Sequence, residues 1–328
     1  MSKSHNLGRR VVITGLGVVS PIGIGADQFW DSLSAGRSGI ARIQLFSESG
    51  IPHHIGGEIQ GFNDKTAKDY IKQKKSIKVM CREIQLGVAS ASLALDHAGI
   101  AEGQIDPERL GVDFGANLML SPPSILADAC FTCSDPETHQ FRYPAWGTEG
   151  LRSMQPLWLL QYLPNMPACH IGIAADARGP NNSITMAEAS GNMAVGEAFR
   201  IISRGNADVM ITGTTGTTLH PVKSMHAVLW DVLANCEGDP ATAYRPFDLN
   251  RTGQVVAEGA CTLILEEESH AQRRGAKILG TVLGAGSSCV LDRQGRPDNR
   301  RAMAQAMRDA LRDAGLQPQD IGHINAHG

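Results

Sequence analysis

The first patterned stretch is Val11-Val12-Ile13-Thr14, a β-branched run that predicts a buried strand ending at Gly15 and Gly17. A helix follows, capped near Asp27, with Phe29, Trp30 and Leu33 on one face. Glu83 to His97 interleaves small residues with Leu86, Leu93 and Leu95 at helical spacing and stops at Gly99; Pro107 and a strand over Leu110 to Phe114 come next. The same order returns near the end, with a helix over Ala302 to Ala314, a stop at Gly315, then Pro318 and a strand over Ile321 to Asn325. "ALDHAGI…DPERLGV" and "ALRDAGL…QPQDIGHI" therefore suggest one α/β unit used twice. The first copy continues well past its strand, whereas the second reaches Gly328 directly after it, so the sequence reads as cut short.

Two stretches lack this grammar. Residues 41 to 78 are polar, contain Gly and Pro, and end in Lys65, Lys68, Lys72, Lys74, Lys75 and Lys78, which predicts a surface excursion with a solvated face. Residues 119 to 167 hold seven of the 16 prolines together with Trp146 and Trp158. They predict a long loop that covers a site or an interface, with one short helix around Trp158 to Leu163.

The most informative stretch is Gly179 to Gly213, GPNNSITMAEASGNMAVGEAFRIISRGNADVMITG. Ser183 to Ala187 reads as a strand; Ala189 to Arg204 reads as a helix that buries Met193, Val195, Ala198, Phe199 and Ile202 and stops at Gly205; Val209 to Thr212 is the next strand. Glu188 falls where the turn enters the helix, beside free backbone N–H groups that can stabilise an anion. That place suits an exposed reactive side chain, and it equally suits an acidic residue that only complements the helix dipole; spacing leaves both open.

Composition narrows the class. A chain of 328 residues, 42% of them apolar, has room for about two domains of roughly 150 residues. With 36 glycines and few aromatics it fits an α/β protein with tight turns and close helix–sheet packing. Thirty basic against 33 acidic residues, a formal charge of −3, provide no field for nucleic acid or an anionic membrane. No apolar run approaches the ~20 residues of a membrane span, and the polar start to Arg10 is not followed by a signal-peptide core, which points to a cytoplasmic protein. Seven scattered cysteines argue for reduced thiols. Cys130-Phe131-Thr132-Cys133 has no second pair to complete a zinc site, and His53, His54 and His139 sit in polar loop sequence that predicts exposure, so no metal is expected. Gly15-Leu16-Gly17 lacks the third glycine of a dinucleotide-binding turn, Ser20 standing in its place, and no cofactor is expected.

"RRVVITGLGVVSPIG" at 9 to 23, "ARGPNNSITMAEASG" at 177 to 191, "GNADVMITG" at 205 to 213, "RPFDLNRTGQVVAEGA" at 245 to 260 and "NAHG" at 325 to 328 resemble, in order, the β-ketoacyl-acyl-carrier-protein synthases of fatty-acid and polyketide synthesis. The resemblance implies a thiolase-like α/β fold of two similar halves in α-β-α-β-α layers. Here the N-terminal half would span 1 to 255 with the excursion 119 to 167, and 256 to 328 would begin a C-terminal half left incomplete. It also implies acyl carrier protein as partner, and a homodimer, or a heterodimer with an active ketosynthase, that pairs the strand Ser183 to Ala187 across the two-fold axis.

In the condensing members a cysteine at the helix N-terminus takes an acyl chain from a carrier-protein thioester, and two histidines support decarboxylation of malonyl carrier protein and condensation. The position that aligns with the cysteine is Glu188, whose carboxylate is a poor nucleophile toward a thioester because the anhydride formed is more reactive than the thioester consumed. Cys169 and Cys261 do not replace it and read as small buried core residues. His327 aligns with the first histidine, which would donate to the thioester oxygen as charge develops there, and Leu118 falls in the acyl-pocket segment. The second histidine, the lysine of its motif and the glycine-rich oxyanion loop lie downstream of Gly328 in the family. Thr214-Thr215-Gly216 and Gly115-Ala116-Asn117-Leu118-Met119 stand where the family has glycine-rich segments. The sequence thus predicts a synthase-like protein that does not condense: a partner like the chain-length factors, or a carrier-protein thioester decarboxylase. An unusual acyltransferase acylated on Glu188 is the third alternative.

Overall fold

The computed structural model describes residues 8–46 and 50–327; the polar start through Leu7 and Gly328 of the terminal motif lie outside them. In chain order the elements are β1 (Val11–Ser20), β2 (Gly23–Ile24), α1 (Ala26–Ser34), β3 (Ala41–Arg42), β4 (Ile55–Gly56), α2 (Arg82–His97), β5 (Leu110–Ala116), α3 (Pro123–Thr132) and α4 (Tyr143–Ala145). There follow α5 (Met166–Ala175), β6 (Asn181–Ile184), α6 (Ser190–Ser203), β7 (Val209–Thr217), α7 (Pro221–Trp230), β8 (Glu258–Glu267), α8 (Glu268–Arg273), β9 (Gly280–Val282) and α9 (Asn299–Ala314).

Five strands make the central mixed sheet in the order β1-β8-β7-β5-β6, with β2 and β9 added on β1. β6, β5 and β7 run parallel, while β8 is antiparallel to both β7 and β1. β8 lies beyond the boundary expected at residue 255, yet pairs along its length in the middle of this sheet. One face packs against α2, where Ile84, Leu86 and Val88 meet Val112, Phe114, Ile211 and Ile264. The other face packs against α6, where Ala198, Phe199 and Ile202 meet Val11, Met210 and Leu265. A sheet covered by helices on both faces is the thiolase-like α/β arrangement expected from the sequence.

β1 does not end at Gly15 and Gly17 but runs through both to Ser20. Its glycines mark close approach: a Cβ on Gly17 would stand 1.9 Å from the Ser90 carbonyl oxygen, and one on Gly15 2.5 Å from that of Ala94, both on α2. α1 forms where expected, but Trp30 and Leu33 are exposed and its buried residue is Ser32.

The excursion over 41 to 78 is only half a surface feature. Its lysines are exposed, but Ile43, Ile55, Ile59, Phe62, Ile71 and Ile77 are buried, one apolar side chain anchoring each irregular turn. Short 3₁₀ turns and two-residue strands impose no lasting period, which hid this inner face. Residues 119 to 167 carry more regular structure than expected, with α3 and α4 in addition to the 3₁₀ turn Trp158–Tyr162. α5, absent from the sequence reading, is apolar but for the buried His170 and packs against α2 and β5, so it has no polar face to give a helical period.

The two similar sequence units share local structure. Both helices end at a glycine of positive φ, Gly99 and Gly315, and the next residue donates back in the same way, Ile100 to the Leu95 carbonyl and Leu316 to that of Leu311. After that they diverge: Leu110–Ala116 is a central strand, whereas Ile321 to Asn325 is exposed and forms no strand, having no ladder partner among the described residues. Two cysteines also depart from expectation. Cys261 is exposed, on the α6-side face of β8 beyond the cover of that helix, and Cys169 on α5 is only partly buried. His53 is half-buried, while His54 and His139 are exposed as predicted.

Candidate active site

The turn that presents Glu188 is built from both sides. β6 ends at Ile184, earlier than expected; Ala187 takes a left-handed φ of 48°, and Glu188 sits in the 3₁₀ turn Ala187–Ala189 just before α6 begins at Ser190. The buried Ser190 hydroxyl accepts from the Met186 N–H (2.8 Å) and lies against the carbonyls of Ala187 (2.8 Å) and Ala116 (3.1 Å), tying the turn to the end of β5. A Cβ on Gly115 would come within 2.7 Å of the Ser190 backbone, and one on Gly191 within 2.9 Å of Thr214 Cγ2. The turn is thus clamped between β5 and β7 with Glu188 exposed.

Glu188 lines a cavity of about 350 Å³. Asn117, Leu118 and Leu120 form one side; of the 119 to 167 excursion only Leu120 contributes, and the excursion does not bury Glu188. Opposite stand Lys223, His226, Ala227 and Trp230 of α7, and residues 254–257 complete the wall. α7 starts with Pro221 in its first turn, and His220 caps it by accepting from the Val222 N–H through Nδ1 (3.2 Å). Burial, with the Lys223 charge nearby, brings the His220 imidazole down to about 4, so Nδ1 is free to accept. From this start, positions 223, 226, 227 and 230 recur on one face of the helix and meet the cavity together.

Lys223 is buried and its ammonium donates to Glu83 Oε1 at the start of α2. Burial pushes the Glu83 carboxyl up to about 7 despite the lysine beside it, and among the described residues its Oε2 has no hydrogen-bond partner. Next to it Arg82 pairs with the buried Glu258 through two contacts of 2.6 Å, and Glu258 Oε1 also accepts from the Ile59 N–H. None of Glu83, Lys223, His226 and Trp230 was singled out from sequence. Pro221 after a polar residue signalled the start of α7, but nothing local pairs residues 83 and 223.

Of the three site residues expected from sequence, Glu188 and Leu118 meet at this cavity. His327 does not line it; it is exposed on the terminal stretch, with a φ of 72° and its N–H donated to Asn325 Oδ1. Cys130 is exposed and Cys133 buried against Gly150, and among the described residues no three metal-capable side chains converge.

The family model for the β-ketoacyl synthase N-terminal domain matches residues 8–271, and that for the C-terminal domain matches residues 279–328. The chain belongs to the β-ketoacyl synthase family. Among relatives, it is 33% identical over 321 residues to the 3-oxoacyl-[acyl-carrier-protein] synthase 2 of Coxiella burnetii, covering 98% of this chain and 73% of that one. Among solved structures, it superposes on a β-ketoacyl synthase from Burkholderia phymatum with a TM-score of 0.81 at 28% identity, over 98% of this chain and 74% of the other. The ishigamide ketosynthase/chain length factor matches with a TM-score of 0.77 at 26% identity, over 98% and 73%. The β-ketoacyl synthase fold therefore extends through β8 and the start of the second matched domain, with Glu188 on the turn between β6 and α6.

Proposed function

We propose that this chain is a non-condensing member of the family that acts beside an active ketosynthase on acyl-carrier-protein thioesters in the cytoplasm, in the manner of a chain-length factor. The observation that carries the proposal is the acidic side chain of Glu188 on the turn and in the cavity, with no cysteine among the residues that line it. A carboxylate attacking a thioester gives an anhydride that returns to reactants, so the acyl-enzyme needed for condensation does not accumulate. The decarboxylase alternative relies on a glutamine amide at this place, and a carboxyl group does not reproduce the amide's N–H donors. The relatives support the setting, since one is named for acyl-carrier-protein chemistry and another is a ketosynthase/chain length factor.

Assembly would use the open edge of β6, which among the described residues is hydrogen-bonded to β5 on one side only and exposes Asn181 and Asn182. A second strand added there would continue the sheet into the partner, over an interface of ~2,000 Å² or more. The test is incubation with malonyl carrier protein followed by intact-mass analysis of both proteins. Unchanged carrier protein and no adduct on this chain are expected; acetyl carrier protein would establish the decarboxylase, and an acyl adduct on Glu188 the acyltransferase.

A further inference from the structure

Of the residues that line the cavity, Lys223, Ala227 and Val256 are buried and form its inner end; the rest are exposed or half-buried. Ala227 and Val256 are short and apolar, so the long charged member of that end is Lys223. Behind it stands Glu83, only 4% exposed and unpartnered at Oε2 among the described residues, and Ile84 and Leu86, further along α2 on either side of the buried Gln85, already belong to the apolar core. Beside this end α2 is held closely to β7. The Thr215 hydroxyl donates to the Glu83 carbonyl (2.7 Å), and a Cβ on Gly87 would already sit 3.1–3.2 Å from Thr215 and Phe114.

We infer that the Glu83–Lys223 pair closes the inner end of this cavity and makes it selective for short or polar acyl groups over long alkyl chains. The inference rests on the cavity's being an acyl-thioester site. Methylenes gain free energy by leaving water for apolar walls. Here a chain long enough to reach Lys223 would meet a desolvated ion pair, and advancing further would separate two buried charges. The same cavity still accepts a thioester whose acyl part ends among Leu118, Leu120 and Ala227.

Trp230 lines the cavity and its fluorescence reports occupancy, with Trp230→Phe as the control for the signal. The probes are S-acetyl-, S-hexanoyl- and S-decanoyl-pantetheine, titrated into the full chain. The unaltered protein is expected to bind the acetyl thioester at least about tenfold more tightly than the decanoyl thioester, with hexanoyl between them. Glu83→Leu/Lys223→Met is expected to bind the decanoyl thioester at least about tenfold more tightly while leaving acetyl binding unchanged, and Glu83→Gln/Lys223→Gln to keep the original profile. Should Glu83→Leu/Lys223→Met fail to melt cooperatively, Glu83→Gln/Lys223→Met, which leaves no unpaired buried charge, replaces it under the same criterion. Decanoyl binding by the unaltered protein as tight as acetyl binding or tighter, or an unchanged chain-length profile in the apolar variant Glu83→Leu/Lys223→Met, overturns the selectivity while leaving the acyl site standing. Absence of thioester binding by every form overturns the acyl site and the selectivity with it.

Discussion

The turn around Glu188 and the wall around Lys223 face the same cavity but are held by different physics. The turn is held by short contacts that need small residues: Gly115 and Gly191 admit the chain between β5 and β7, and Ser190 satisfies the Met186 N–H. The wall is held by one ion pair between residues 140 positions apart, on α2 and α7, with one carboxylate oxygen left over. The turn is a backbone device, and the side chain that it presents, Glu188, is exposed. The wall is a side-chain device whose two halves only make sense together, because either one alone is an uncompensated buried charge.

The largest expected effect comes from splitting the pair. Lys223→Met alone should destabilise the chain by about 3–5 kcal/mol in urea unfolding, whereas Glu83→Leu/Lys223→Met should fall within about 1 kcal/mol of the original or above it. A strictly additive double variant would show that the two side chains do not depend on each other. Next is Gly115→Ala, whose new methyl meets the Ser190 backbone; about 1–3 kcal/mol of stability should be lost, with a loosened turn visible as faster amide exchange at Ala189 and Ser190.

Acid titration separates the two regions further. The Glu83 carboxyl lies at about 7 when folded, above its ordinary value near 4.5, so folding binds a proton between those limits and stability falls as pH rises through that window, then levels off. Asp113, pushed up to about 6 by burial, adds a fall of the same sign below pH 6. Glu83→Gln should therefore flatten the stability profile between about pH 6 and 7 and leave the lower part sloped. A profile unchanged in that window would place the titration elsewhere. The smallest effect is expected at Glu188→Cys. Because the side chain is exposed, stability should stay within about 0.5 kcal/mol. Robust β-ketoacyl product should not appear, because Leu118, Thr214 and the Lys223 wall remain; rapid condensation by this single variant would mean that the turn alone decides activity.

Much of this was visible in one dimension. The α2–Gly99–β5 unit and its echo at α9–Gly315 were legible because a helix period and a glycine stop are local signals, and Glu188 could be placed because strand, turn and helix follow one another within a dozen residues. The passage of β1 through Gly15 and Gly17 was not legible, since those glycines answer to α2 rather than to their neighbours in sequence. α5 was missed because a helix whose side chains are nearly all apolar, on its buried and exposed faces alike, has no polar face to mark its turns.

Sequence by itself determined the α/β class, the family and the position of the acidic residue on the turn, since each depends on residue order over short spans. Only the tertiary structure decided that Ile321 to Asn325 is not a strand, that Glu188 stays exposed, and that Lys223 meets Glu83 at the back of the cavity. Strand pairing and charge pairing are set by which distant segments the sheet brings within a few ångströms, and no local pattern of side chains encodes that distance.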